Sequence, residues 1–490
     1  MFTEELRSKV WRDVHSRGVR AFTRFLTPAV FAQAARQAGR RIAPSPLNLV
    51  NLVWLGLTGS LDTTKSFAAV LTTTFKILAD APHSPLSQRA CKAQPPRTNR
   101  RDGRAIAKAR SKHDPRRDDP NRVTEEAFVQ ARGRMPLDFW VALALILADR
   151  FASEHDASLR WKHFRLLALD GTLVNLPRWP ALAKHYGTAK GSRGGRVPQA
   201  RLVMLQFPRV RVPYRFALGP KHQAEKTMAQ RLLGALCKDD LLLMDRGFWS
   251  YGLFCRIVER EAVFAIRQIA QAHLKRLRTL GPNDTLVRYA PQDRKWHKLG
   301  LPEALELRRI VYQVRGFRPS AVITNVTDPT VISRAEWISM TTIDEAGRVL
   351  YDSIYHRRWE IETSFFELKV VETMKTLRGR TPGTIDYEIA SHVLLYLLVR
   401  WLMVEAAVEH GQDPLRLSFT EALREIKLMA QTLITASPHR ARTVLLPRLL
   451  ERIAGSLVPL RPGRHYPRPN DTKVKNNGHG TIRLPSKMIG

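Results

Sequence analysis

The fifteen-residue segment 355–369, YHRRWEIETSFFELK, holds three carboxylates, four basic side chains and four aromatic rings. At about 100° per residue along a helix, Tyr355, Arg358, Glu362 and Lys369 fall within an arc of roughly 60°. Glu360 and Glu367 then point about 160° and 140° away from Glu362. A salt-bridged surface helix pairs several acids with several bases at i,i+4 spacing. Here a single carboxylate shares its stripe with one phenol and two cations. Phe365 and Phe366 partly flank the stripe, as on a helix packed against a sheet.

Two more acids stand where a sheet delivers ligands. LLALDGT puts Asp170 at the carboxyl end of a hydrophobic strand, before Gly171, and LLLMDRGF does the same with Asp245 and Gly247. Ligands of open α/β sheets gather at such strand ends, so the two aspartates could converge. An aspartate before a glycine is also ordinary turn chemistry. If Asp170, Asp245 and Glu362 meet, they suit hard divalent cations. Three carboxylates can hold two Mg²⁺ ions about 4 Å apart, one activating water or a 3′-hydroxyl and one stabilising a leaving oxygen. Neighbouring Arg and Lys would hold flanking phosphates without competing for metal. Without metal, three converging carboxylates repel one another and at least one pKa rises.

The elements that must position these residues are legible in outline. FRLLALD, ARLVMLQF and YRFALG read as strands, AEKTMAQRLLGALC as an amphipathic helix, DLLLMD as a buried strand, YGLFCRIVERE as a helix and AVFAIRQ as another strand. The fold class is α/β: a mixed sheet, with helical regions before and after it. TLVRYA, LELRRIVYQVRGF and SAVITNV form a β-rich insertion at 270–340, and a long helical stretch from about 345 to 378 carries the acidic segment. The core occupies 161–269 and 341–385, with a helical lead-in at 123–160, where Thr124 precedes Glu125 and Glu126. Residues 1–88 are a helical N-terminal domain, read either as DNA-binding or as a plain helical subdomain with a solvated basic face. Gly56 and Gly59 suggest short packed helices there. A basic, Pro-containing linker follows at 89–122, helices run over 386–455, and 456–490 is a basic tail.

Composition narrows the partners. Lys and Arg number 80 against 44 Asp and Glu, a net charge of +36 over 490 residues. The excess favours a polyanion, nucleic acid first. It is spread along the chain rather than on one amphipathic helix, which disfavours a membrane surface. Cys91, Cys237 and Cys255 form no paired framework and fit a reducing cytoplasm. The apolar run from Val393 contains Arg400 and Glu405 and reads as a buried helix, not a membrane span. HExxH, CxxC and GxxxxGK[ST] are absent, so zinc hydrolysis and P-loop nucleotide use lack support. GSRGGR at 191–196 reads as a loop beside DNA. His222 and Glu225 read as a helix N-terminal region with an acid in its first turn.

Tyr355, Arg358, Glu362 and Lys369 fit the spacing Y-x2-R-x3-E-x6-K, and Asp170 and Asp245 precede it in DGT and DRGF wording. In these residues the sequence resembles the bacterial insertion-sequence transposases with a DDE catalytic domain, over residues from about 20 to 470. The resemblance implies a ribonuclease-H-like core with Asp170, Asp245 and Glu362 binding Mg²⁺, for which Mn²⁺ may substitute. It implies phosphodiester hydrolysis at terminal inverted repeats and 3′-hydroxyl strand transfer into target DNA. Tyr355, Arg358 and Lys369 would contact DNA phosphate. The partners implied are double-stranded DNA, both transposon ends and target, and a second protomer in a homodimeric synaptic complex. The setting implied is a bacterial cytoplasm, at the nucleoid, with no membrane. A catalytically silent DNA-binding derivative and a plain nuclease on the same core are the alternatives. One departure concerns relatives that pass through a DNA hairpin and stack a flipped base on a tryptophan. RGFRPSAVITNV has Phe317 in that neighbourhood, and Trp296 and Trp337 read as core.

Overall fold

The computed structural model describes residues 20–61 and 124–459, apart from residues 44, 46, 191–195, 292, 294–295, 297–298, 314–318, 339–341, 344–348, 352, 373 and 437. The linker at 89–122, Phe317 and the tail from residue 460 lie outside the described residues.

The strands in chain order are β1 (Arg160–Trp161), β2 (Phe164–Asn175), β3 (Thr188–Lys190), β4 (Arg196–Phe207), β5 (Val212–Pro220), β6 (Asp240–Met244) and β7 (Val263–Arg267). They continue with β8 (Leu274–Gly281), β9 (Asp284–Tyr289), β10 (Leu305–Tyr312), β11 (Ser320–Thr324), β12 (Thr342–Ile343) and β13 (Val349–Tyr351). The first eleven build one mixed sheet in the order β3-β4-β2-β6-β7-β11-β10-β9-β8, with β1 on β2 and β5 on β4. Helical regions flank it before and after, an arrangement consistent with a ribonuclease-H-like core. β2–β6 and β6–β7 are parallel, and the remaining pairs of the sheet are antiparallel. Every residue of β6 is buried, as expected of a parallel strand covered on both faces. The β-rich run after β7 does not fold apart. β11 pairs with β7, and β10, β9 and β8 follow it outward, so these strands extend the same sheet.

The helix Pro382–Glu409 is the hub of the helical layer. Thr381 accepts from the Thr384 N–H, the Thr384 hydroxyl accepts from the Thr381 N–H, and Pro382 fills the first turn, a complete capping box. The helix is long and apolar enough to cross a membrane, yet 94% of its apolar window is buried inside the protein. The helix Leu49–Leu61 packs on it, with the Tyr387 hydroxyl donating to the Leu52 carbonyl at 2.6 Å. Gly56 and Gly59 lie inside that one helix rather than breaking it. A Cβ on Gly56 would meet the Ser391 Oγ at 2.4 Å, so the glycine permits the close crossing.

The helical stretch expected from 345 to 378 is not continuous. β12 and β13 form a small ribbon, then a 3₁₀ turn (Tyr355–Trp359), an α-helix (Glu360–Phe366) and a π turn (Glu367–Val371) follow. Tertiary anchors at both ends, described next, override the local helical preference.

Candidate active site

β2 and β6 are parallel neighbours with Leu169 opposite Met244. Asp170 and Asp245 are each the next residue, level with one another and on one side, about 4.8 Å apart in strand spacing. Asp245 follows the end of β6, but Asp170 does not end its strand: β2 runs on through Gly171 to Asn175, paired with β4, so the turn expected after LLALD is replaced by continued strand pairing. The 3₁₀ turn is moored to the same strand end: Tyr355 is buried and its hydroxyl donates to the Met244 carbonyl at 3.2 Å. Burial pushes the Tyr355 phenol upward. Glu362 then projects from the α-helix with its side chain 45% exposed. Phe365 is buried beside it, whereas Phe366 stays 58% exposed and packs against nothing as a core residue would.

Arg358 joins two of the three acids. Its buried guanidinium donates to Glu362 Oε1 at 2.9 Å and lies 3.7 Å from Asp170 Oδ2. Asp170 also accepts from the Gly171 N–H at 2.8 Å. Burial pushes the Asp170 carboxyl up to about 6. The Gly171 N–H and Arg358 oppose that rise, and the charges of Asp245 and Glu362 add to it. Lys369, on the π turn, hydrogen-bonds Thr172, two residues beyond Asp170 and on the same side of β2. The tight 3₁₀ turn and the wide π turn offset one another, so Tyr355, Arg358, Glu362 and Lys369 all address the Asp170–Thr172 stretch of β2 and the end of β6.

The other two carboxylates of the segment do structural work. Glu360 accepts from Arg211 Nε at 2.7 Å. Glu367 is buried and accepts from Arg400 Nη2 at 2.6 Å, from the Tyr396 hydroxyl at 2.7 Å and from Arg211 Nη1 at 3.1 Å. Those cations hold Glu367 below the usual carboxylate range against its burial.

Among the described residues, no three His, Cys, Asp or Glu side chains stand so as to hold a metal ion. The donor set nevertheless fits a hard cation. The charges of Asp245 and Glu362 add to the burial that pushes Asp170 toward protonation, and the cation now bridging Asp170 and Glu362 is a guanidinium.

Glu225 stays outside this group. It ion-pairs with Arg201, and its Oε1 lies 2.9 Å from where a Cβ of Gly171 would sit, on the sheet face opposite Asp170. His222 lies 3.8 Å from the corresponding position of Gly187. Trp337 is fully buried, and Trp296 is half-buried against Tyr251 and Gly252. One residue that sequence reasoning passed over is Arg267, the last residue of β7. Met244 is opposite Ile266, so Arg267 stands beside Asp245 on the same side, and its charge reaches Tyr355 and Tyr312. The available signal was the strand VFAIR ending in a charge, much as LLLM is followed at once by Asp245.

Comparison with known proteins agrees with this geometry. Residues 161–398 match the family described as Transposase DDE domain. The chain is 29% identical over 366 residues to Transposase InsG for insertion sequence element IS4 of Escherichia coli (strain K12), covering 71% of this chain and 76% of that one. It is 26% identical over 145 residues to Putative transposase InsZ of the same organism, 29% of this chain and 48% of the other. The solved piggyBac transposase synaptic complex with hairpin DNA aligns at a TM-score of 0.39 and 10% identity, over 96% of this chain and 91% of that chain, a likeness too loose to carry weight. The matched domain contains Asp170, Asp245 and the whole Tyr355–Lys369 segment, and the chain is a DDE-type transposase related to those of bacterial IS4-family insertion sequences, with a general function in transposition and DNA recombination.

Proposed function

We propose that this transposase hydrolyses a phosphodiester at each end of an insertion sequence and joins the freed 3′-hydroxyl to target DNA, using Asp170, Asp245 and Glu362 as one metal-dependent site. The observation that carries the reading is the shared field of the three acids: Asp245 and Glu362 both add to the upward shift of Asp170. Carboxylate oxygens are the donors that Mg²⁺ takes, and Mn²⁺ accepts the same set. Divalent ions bound there would activate the attacking oxygen and neutralise charge developing on the phosphate.

The chain's own residues have the following parts. Asp170 and Asp245 supply fixed oxygens from adjacent strands. Glu362, the most exposed of the three, would let go of Arg358 on holding a metal ion with them. Arg358 and Lys369 would hold non-bridging oxygens of the DNA near the cut, and Tyr355, buried with its hydroxyl on the Met244 carbonyl, anchors the turn that carries Arg358. In the first step water oxygen bonds to phosphorus as the P–O3′ bond breaks, leaving a 3′-hydroxyl and a 5′-phosphate. In the second, that 3′-oxygen bonds to a target phosphorus and a target 3′-oxygen leaves with the proton. The N-terminal helical region would read the terminal repeats, and two protomers would pair the ends.

The test is a nicking and joining assay on DNA carrying the element's own ends. Wild-type protein should cut with Mg²⁺, and Asp170→Ala, Asp245→Ala and Glu362→Ala should each lose cutting while still binding the ends. Cutting by any of the three variants would refute the assignment. Wild-type binding without cutting would leave the silent DNA-binding derivative in its place.

A further inference from the structure

We propose that the β8–β9 ribbon is an arm that grips the backbone of duplex DNA away from the cutting site, through Lys275, Arg278 and Arg288. The inference rests on the reading of this chain as a DNA transposase, and adds a contact surface that the reading does not assign.

β8 is the outermost strand of the sheet, and Lys275, Arg276, Leu277 and Arg278 are all exposed. A strand that packs on a core alternates buried and exposed positions, and this one does not. Lys275 is directly opposite Arg288 on β9. Like charges placed directly opposite destabilise a strand pair. Arg276 pairs with Val287 and Arg278 with Leu286, so Leu277 is the extra residue of a bulge. The bulge turns Arg278 to the side that already carries Lys275 and Arg288. Among the described residues, none of Lys275, Arg278 and Arg288 takes part in an ion pair, and segment 271–283 contains no Asp or Glu.

The register ties this side of the ribbon to the acids. Across the sheet, Asp245 continues to Arg267, then Val322, Ile310 and Asp284. Directly paired residues share a face, and Asp284, Leu286 and Arg288 alternate onto one face of β9. Lys275, Arg278 and Arg288 therefore lie on the same sheet face as Asp170 and Asp245. Arg288 on β9 is four strand spacings from β6, and Lys275 and Arg278 on β8 are five, about 24 Å. That is about seven base pairs of duplex at 3.4 Å per pair. Glu306 on β10 stands opposite Arg288, so this side of the ribbon is net basic rather than free of acid; a net basic side on the face that carries the two aspartates fits a polyphosphate that runs past both. The competing explanation is protective: charges on an edge strand deter edge-to-edge pairing. Charge reversal separates the two, because Glu guards an edge as well as Lys does.

The experiment measures binding of full-length protein to random-sequence duplex DNA over a series of salt concentrations. Wild type is compared with the Lys275→Glu, Arg278→Glu, Arg288→Glu triple variant and with the matching triple change to Gln. Each lost phosphate contact removes about 0.9 from the slope of log affinity against log salt. The Gln variant should lose roughly 2 to 3 from that slope, and the Glu variant should bind more weakly still. Thermal melting shows that the variant compared is folded, and the Gln variant serves if the Glu variant is not. A folded variant with the wild-type slope overturns the arm alone. Wild-type protein with no salt-dependent DNA binding overturns the transposase reading together with it.

Discussion

The guanidinium of Arg400 lies fully buried 2.6 Å from the carboxylate of Glu367, thirty-three positions earlier in the chain. This pair fastens the π turn that presents Lys369 to the long central helix. It also separates the three carboxylates of one short segment into different trades.

Glu367→Ala would strand Arg400 without its counter-charge in the core, which costs about 3–5 kcal/mol. Glu360→Ala leaves Arg211 with Glu367 and a partly exposed site, and should cost about 1 kcal/mol or less. Denaturant titration of both variants checks the contrast. Equal losses would mean that the buried network does not hold the segment.

Asp170 gives the metal-free protein a distinctive pH dependence. Its folded pKa, about 6, is raised above the ordinary aspartate value of 3.8. The folded state therefore binds the proton more tightly, and Asp170's contribution to stability is fully present below about 3.8. That contribution is lost as pH rises through about 6, by at most about 3 kcal/mol. Melting curves of wild type minus Asp170→Asn, without metal, should show the loss between pH 4 and 6, and Mg²⁺ at pH 7 should reverse it for wild type only. A flat difference would show that Asp170 is not under this strain.

Arg358→Gln removes the cation that now bridges Asp170 and Glu362. Mn²⁺, followed by calorimetry, should then bind more tightly, because no guanidinium competes for the carboxylates. Cleavage should fall at the same time through the lost phosphate contact. Unchanged Mn²⁺ affinity would mean that Arg358 and the metal do not share the site.

Asp170 was read as a strand end and lies inside β2, whereas Asp245 at the end of its strand, the Tyr355–Lys369 spacing, the acidic first turn after Thr124 and the buried character of the helix around Arg400 were legible in the sequence. Each depends on local matters: hydrophobic period, turn chemistry and helix caps, which neighbouring residues fix among themselves. The break of the 345–378 stretch into a ribbon and three kinds of helical turn was not legible, because Met244 and Arg400 hold it from elsewhere in the chain. Nor was the place of Arg267 beside Asp245, or the continuation of the sheet from β7 to β8, since register between distant strands decides both. Sequence alone supplied the acids, the bases and the order of the elements. The helical repeat already set Glu362 apart from Glu360 and Glu367, and Glu362 keeps Arg358 one turn away; tertiary structure alone decided what the other two serve, because their cations Arg211 and Arg400 lie more than thirty residues away and only folding brings them near.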